Sequence, residues 1–129
     1  MSRLIVKGPV TLNGEITVRG AKNAALPMLV AAAIPSEPVI LRNVPTTLND
    51  VQVLLDALRH VGMSTTLEND AVRFPQCDVR ETEIPGEISS RIRYSLLFLG
   101  LLLGKAGHVK ISAPGGCNLG DRKFDLHIG

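Results

Sequence analysis

Apolar and polar positions alternate through the first eighteen residues of the chain. The runs RLIVK (3–7) and VTLNGEITV (10–18) carry β-branched residues at a spacing of two, and Gly8-Pro9 and Asn13-Gly14 punctuate them as turns. The pattern predicts short strands in hairpins. An alanine-rich apolar run then extends to Ile34 and stops at Pro35 and Pro38, which predicts a helix. Pro27 leaves its start open. With Asn23 as the cap, Pro27 deletes the first internal hydrogen bond; the alternative begins the regular helix near Leu26, with Lys22 and Asn23 in the turn before it.

Val39 to Arg42 reads as a short strand. Thr47 with Asp50 three residues on resembles a capping box, Val51, Leu54, Leu55, Leu58 and Val61 fall on one helical face, and Gly62 supplies the stop. On that helix Asp50, Asp56, Arg59 and His60 read as the solvated side. Met63 to Leu67 and Ala71 to Phe74 are predicted strands around the turn Glu68-Asn69-Asp70, closed by Phe74-Pro75. Pro85-Gly86 precedes a long predicted helix from about Ser89 to Gly104, with Ile88, Ile92, Leu96, Leu99 and Leu103 as its stripe. The stripe widens towards Gly104, which predicts enclosure on all sides there. Lys105 to Gly107 ends that helix, His108 to Ser112 is a strand, and Phe124 to Ile128 opens another helix. The chain therefore reads as α+β, in two βα-rich units of similar order whose sequences are too unlike to define a repeat.

Composition bounds this picture. At 129 residues with 45% apolar residues, one ordinary core is affordable and two are not. A net charge of +2 with both signs spread along the chain supplies no basic tract for nucleic acid or a membrane surface, so any anion site must be local. With 3% aromatic residues, base stacking on an aromatic platform is not expected. Leu96 to Leu103 is about half the length that spans a bilayer. Cys77 and Cys117, with no secretory leader in view, point to a reducing cytoplasm rather than a disulfide framework.

Two stretches suggest chemistry. Pro114-Gly115-Gly116 forces a sharp loop that carries Cys117 among glycine amides, with Arg122 five residues on; such a setting favours an anion and a stabilised thiolate. For a lone cysteine the alternative is a small buried residue in a tight turn. At the start of the first helix, backbone amides and the Lys22 ammonium together suit phosphate or carboxylate, and the alternative is a solvated lysine. Arg91 and Arg93, two apart on a helix, would point to nearly opposite sides, so one is a surface or structural charge. His60 and His108 have no cluster of ligands at metal spacing, and no metal is assigned.

The run PGGCNLGDRKFDLHI (114–128) resembles the cysteine loop of the bacterial UDP-N-acetylglucosamine enolpyruvyl transferases, or carboxyvinyltransferases, of the EPSP synthase superfamily. RGAKNAALPMLVAAAI (19–34) resembles that family's N-terminal lysine motif. The resemblance implies an α/β prism of βαβαββ repeats, of which this chain is a truncated first part within a longer parent. It implies that residues 1–20 are strands pairing with a C-terminal domain and that 21–129 are an incomplete first domain of about two repeat units. Strands without those partners would favour self-association.

The same resemblance implies transfer of the enolpyruvyl group from phosphoenolpyruvate to the 3-hydroxyl of UDP-N-acetylglucosamine, with release of phosphate, as the first committed step of peptidoglycan synthesis. No cofactor is expected. Cys117 becomes the general acid, able to form an adduct with phosphoenolpyruvate and to be alkylated by fosfomycin. Lys22, Arg93 and Arg122 become the cationic clamps, with Asn23 beside them. Lys123, Phe124, Asp125, Leu126 and His127 join Arg122 in the segment that embraces the uridine nucleotide. The family usually has proline at Lys123, a small aliphatic at Phe124 and a small residue at Tyr94, and these departures motivate a paralogue acting on another uridine nucleotide. A non-catalytic anion-binding fragment is the alternative from another class, and residues 1–129 alone are expected to show negligible turnover.

Overall fold

The computed structural model describes residues 3–75, 78–91 and 93–112. Cys77, Ile92 and everything from 113 onward, including Cys117 and the segment Arg122 to His127, lie outside the described residues.

Helix α1 runs Lys22–Ala32. It starts earlier than either predicted arrangement, with Ala21 at the cap position. The Ala24 and Ala25 amides both donate to the Ala21 carbonyl, at 3.2 and 2.9 Å, so the first turn closes ahead of Pro27. Pro27 is thus inside the helix, where its missing N–H removes the bond that Asn23 C=O would accept. Burial of Leu26, Leu29 and Val30 offsets that loss: three aliphatic side chains removed from water contribute several times a single net hydrogen bond.

Strand β1 (Val39–Leu41) leads to helix α2 (Asn49–His60). The predicted apolar face of α2 is fully enclosed, and Val53 and Ala57 join it. Its predicted capping box does not form. Leu48 holds the cap position with no side-chain bond, Thr47 lies one residue outside, and the Gln52 amide reaches back to the Thr46 carbonyl instead. At the other end Gly62 N–H donates to Arg59 C=O at 3.0 Å and Met63 N–H to Leu58 C=O at 2.9 Å. This is a Schellman closure, with Gly62 in the left-handed region at φ 101°.

Strands β2 (Thr66–Glu68) and β3 (Ala71–Phe74) form the predicted hairpin, with β2 starting later than its sequence suggested. The sheet order is β1-β3-β2, antiparallel throughout, with Leu41 and Leu67 both opposite Val72. Val72 and Phe74 face the core, while Arg73 on the other face pairs with Glu68 at 2.9 Å. A second, two-stranded parallel sheet joins β4 (Glu83–Ile84) to β5 (Lys110–Ile111).

Between those strands the predicted long helix is broken. It is a short turn α3 (Gly86–Ser89), a 3₁₀ turn over Arg93–Leu96, and helix α4 (Leu97–Ala106) closed by Gly107 at φ 75°. Ser89 Oγ donates to the Gly86 carbonyl at 3.4 Å, a local bond that competes with helix continuation, and the buried Ser89 and Ser95 sit where a continuous helix would otherwise run. The buried face also differs from the predicted stripe: Phe98, Leu101 and Leu102 are enclosed, whereas Leu103 is 51% exposed. The C-terminal end of α4 is therefore not enclosed on all sides.

Residues 3–20 form no strand. Leu4 is 89% and Ile16 90% exposed, and Val6, Leu12 and Val18 are similarly open to solvent. Alternation supplies a strand with one apolar face, yet a ladder needs a second strand, and the described residues offer none. The folded part of the described chain is a mixed α+β unit whose single core lies among α1, α2, α4 and the inner face of β3.

Candidate active site at the start of the first helix

Three close contacts fix where α1 begins. The Gly20 amide donates to Asn43 Oδ1 at 3.0 Å, and Asn43 itself is held in the left-handed region at φ 56°. The next residue, Val44, donates its amide to the Asp70 carbonyl at 2.8 Å, which ties the loop to the β2–β3 turn. A Cβ on residue 20 would overlap the Asn43 carbonyl oxygen, so glycine is required by this approach alone. Gly20→Ala is expected to cost about 1–3 kcal/mol through forced backbone movement, measured by urea unfolding.

The approach delivers Lys22 to the first helical position. A cation there works against the helix dipole by roughly 0.3–1 kcal/mol. The described structure supplies the offset: Lys22 Nζ lies 2.7 Å from Asp50 Oδ2, in the first turn of α2. Asp50 is thus not simply part of the solvated side of α2. The two side chains remain 44% and 35% exposed, which limits the pair to about 0–1 kcal/mol of stability. Its larger effect is positional, since it fixes the ammonium between two helix starts.

Asn23 is the second residue of α1, and its Oδ1 accepts from the Tyr94 hydroxyl at 3.1 Å. Tyr94 follows Arg93 in the 3₁₀ turn, so this bond joins the start of α1 to the Arg93 segment. The premise that Arg91 and Arg93 lie on one continuous helix does not hold. Arg91 is in the turn after α3 and exposed, while Arg93 opens the 3₁₀ turn and is half-buried, so the two differ by environment rather than by helical phase. Cys117, Arg122, Lys123, Phe124, Asp125, Leu126 and His127 lie outside the described residues.

An open groove beside this region, about 460 Å³, is lined by Arg19, Asn43, Thr46, Thr47 and Asp70 among others, but not by Lys22, Asn23 or Arg93. Both described histidines are exposed and hydrogen-bonded to neighbouring segments. His60 Nε2 lies 3.1 Å from the Glu83 carbonyl oxygen, and His108 bonds Thr82 Oγ1 at 2.9 Å and the Ala106 carbonyl at 3.1 Å. No group of three or more potential metal ligands occurs among the described residues. No described helix is long and apolar enough to cross a membrane.

Sequence reasoning missed Asp50 and Tyr94. Asp50 was legible as a first-turn acid, but nothing in a sequence pairs it with a lysine twenty-eight positions earlier. Tyr94 did carry a signal, being the single tyrosine of the chain and adjacent to an arginine assigned to anion binding.

Lys22 at a helix start, the Asn23 carboxamide beside it and the Arg93 turn joined to Asn23 through Tyr94 are thus neighbours in the described structure. The family model for EPSP synthase (3-phosphoshikimate 1-carboxyvinyltransferase) matches residues 6–129, and the chain belongs to that family. Among curated relatives, it is 42% identical to the UDP-N-acetylglucosamine 1-carboxyvinyltransferase of Oleidesulfovibrio alaskensis and 38% identical to that of Thermotoga maritima. A third, from Buchnera aphidicola, is 39% identical, and each match covers 99% of this chain. The chain spans about 30% of the length of these relatives.

Proposed function

We propose that this chain forms the N-terminal part of an enolpyruvyl transferase that uses phosphoenolpyruvate and UDP-N-acetylglucosamine. In this reading the acceptor 3-hydroxyl gives its proton to a general base outside residues 1–129 as its oxygen bonds to C2 of phosphoenolpyruvate, while C3 takes a proton. Loss of a C3 proton then restores the double bond as the C2–O bond to phosphorus breaks and inorganic phosphate leaves. Lys22, Arg93 and Arg122 hold the carboxylate and phosphate, Cys117 protonates C3, and Lys123 to His127 embrace the nucleotide. Residues 1–20 belong with a second domain and 21–129 with the first, in a prism of βαβαββ repeats. The protein works in the cytoplasm, on the way to peptidoglycan.

The observation that carries this reading is the match, over 98–99% of this chain, with relatives named for that one activity. The Tyr94–Asn23 hydrogen bond supports it, since it joins the lysine motif to the Arg93 turn. A second reading, another uridine nucleotide as acceptor, draws support from Tyr94 reaching Asn23 where the family usually has a small residue. Steady-state kinetics of the complete enzyme with UDP-N-acetylglucosamine against uridine monophosphate test both. The first reading expects kcat/KM at least about a hundredfold higher for the sugar nucleotide, because a site built to hydrogen-bond the sugar leaves buried groups unpaired without it. Residues 1–129 alone are expected to release no phosphate.

A further inference from the structure

Tyr94 does more than fill space beside the core. A carboxamide has a face that accepts hydrogen bonds and a face that donates them, so engaging Oδ1 decides which face is left for a ligand. The phenol hydroxyl takes Oδ1 at 3.1 Å, across 71 positions of sequence. The half-buried ring packs against the core, so the hydroxyl is aimed by the same packing that seats the 3₁₀ turn. With the carbonyl occupied, Asn23 has its two N–H donors to offer, next to the Lys22 ammonium.

We propose that Tyr94 is a positioning residue for the acceptor substrate: by holding the Asn23 carbonyl, it turns the Asn23 N–H donors towards an oxygen of the acceptor and selects an oxygen that accepts. This rests on the reading of function above. An acceptor hydroxyl that gives up its proton gains negative charge during attack, and a donor fixed beforehand stabilises that charge without reorganising. A carboxamide turned the other way would present lone pairs to the same oxygen and oppose the step. The hydroxyl of Tyr94 therefore acts through Asn23 on the acceptor, and not on phosphoenolpyruvate.

Tyr94→Phe keeps the ring and removes only the hydroxyl. In the complete enzyme it is expected to lower kcat/KM for the acceptor nucleotide about three- to tenfold, to leave KM for phosphoenolpyruvate unchanged, and to cause no further loss in an Asn23→Ala background. An unchanged kcat/KM, an equal loss for both substrates, or an additive loss in the double variant overturns the proposal. Absence of turnover by the unsubstituted enzyme with phosphoenolpyruvate and either uridine nucleotide overturns the functional reading first, and this inference with it.

A measurement on the 129-residue chain covers the case in which Tyr94→Phe does not fold. Because the chain has a single tyrosine, labelling with 3,5-difluorotyrosine places one acidified phenol at position 94. The Asn23 side-chain amide resonances, assigned by their loss in Asn23→Ala, are expected to shift as that phenol titrates. Resonances that ignore the titration overturn the proposal.

Discussion

Replacing Lys22 with methionine is expected to lower kcat/KM of the complete enzyme by about a hundredfold or more, the usual scale for removing one preorganised charge contact from an anionic transition state. Folding should hardly notice. The Lys22–Asp50 pair is 44% and 35% exposed, an environment in which an ion pair contributes about 0–1 kcal/mol, so the melting temperature should fall by no more than about 5 °C. Asp50→Asn gives the companion result, a smaller loss of turnover with Lys22 still present but no longer held at 2.7 Å. Steady-state kinetics beside thermal melting separate the two effects. Turnover within tenfold of the unsubstituted enzyme for Lys22→Met would remove this lysine from the substrate-binding set.

The opposite profile is expected for Phe98→Ala, a loss of about 3–5 kcal/mol of stability, measured by urea unfolding of the 129-residue chain. Phe98 is among the largest fully buried side chains and sits in α4, next to Leu101 and Leu102 in the enclosed face. Deleting its ring removes both the transfer free energy and the packing of the surrounding aliphatics, and no other aromatic ring among the described residues is fully buried. Against a typical domain stability of about 5–15 kcal/mol, such a loss takes a large share of the whole. A loss below about 1 kcal/mol would show that the core rearranges to fill the space.

Local patterns were legible where the local sequence decides the structure. Helix α2 follows from its apolar periodicity and from Gly62, which alone among neighbours tolerates the positive φ that closes a Schellman turn. The β2–β3 hairpin follows from strand residues flanking Asn69, which takes φ 55° at the turn. What failed depends on partners far away in sequence. Strand β4 is two residues long and pairs in parallel with β5, so neither length nor alternation announces it. The 3–18 alternation is real, but pairing is a property of two segments and the pattern of one cannot supply it. The break between α3 and α4 was hidden because Ile88, Ile92, Leu96 and Leu99 keep helical spacing straight across it, while the apolar run from Leu96 to Leu103 fits any helical phase and so hid the buried face of α4. In the candidate site, Lys22 was singled out because a lysine beside free helix-start amides suits an anion, and Asn23 because the resemblance sets it beside that lysine. Asp50 was read only as a solvated acid and Tyr94 only as a departure from the family pattern, because their partners lie on other elements.

The open apolar side chains of residues 3–18 have a thermodynamic corollary. A segment that buries nothing adds nothing to the heat capacity change or the denaturant sensitivity of unfolding. The cooperative unit is thus smaller than the polypeptide, and Leu4, Val6, Leu12, Ile16 and Val18, open to solvent, add little to the free energy of the core.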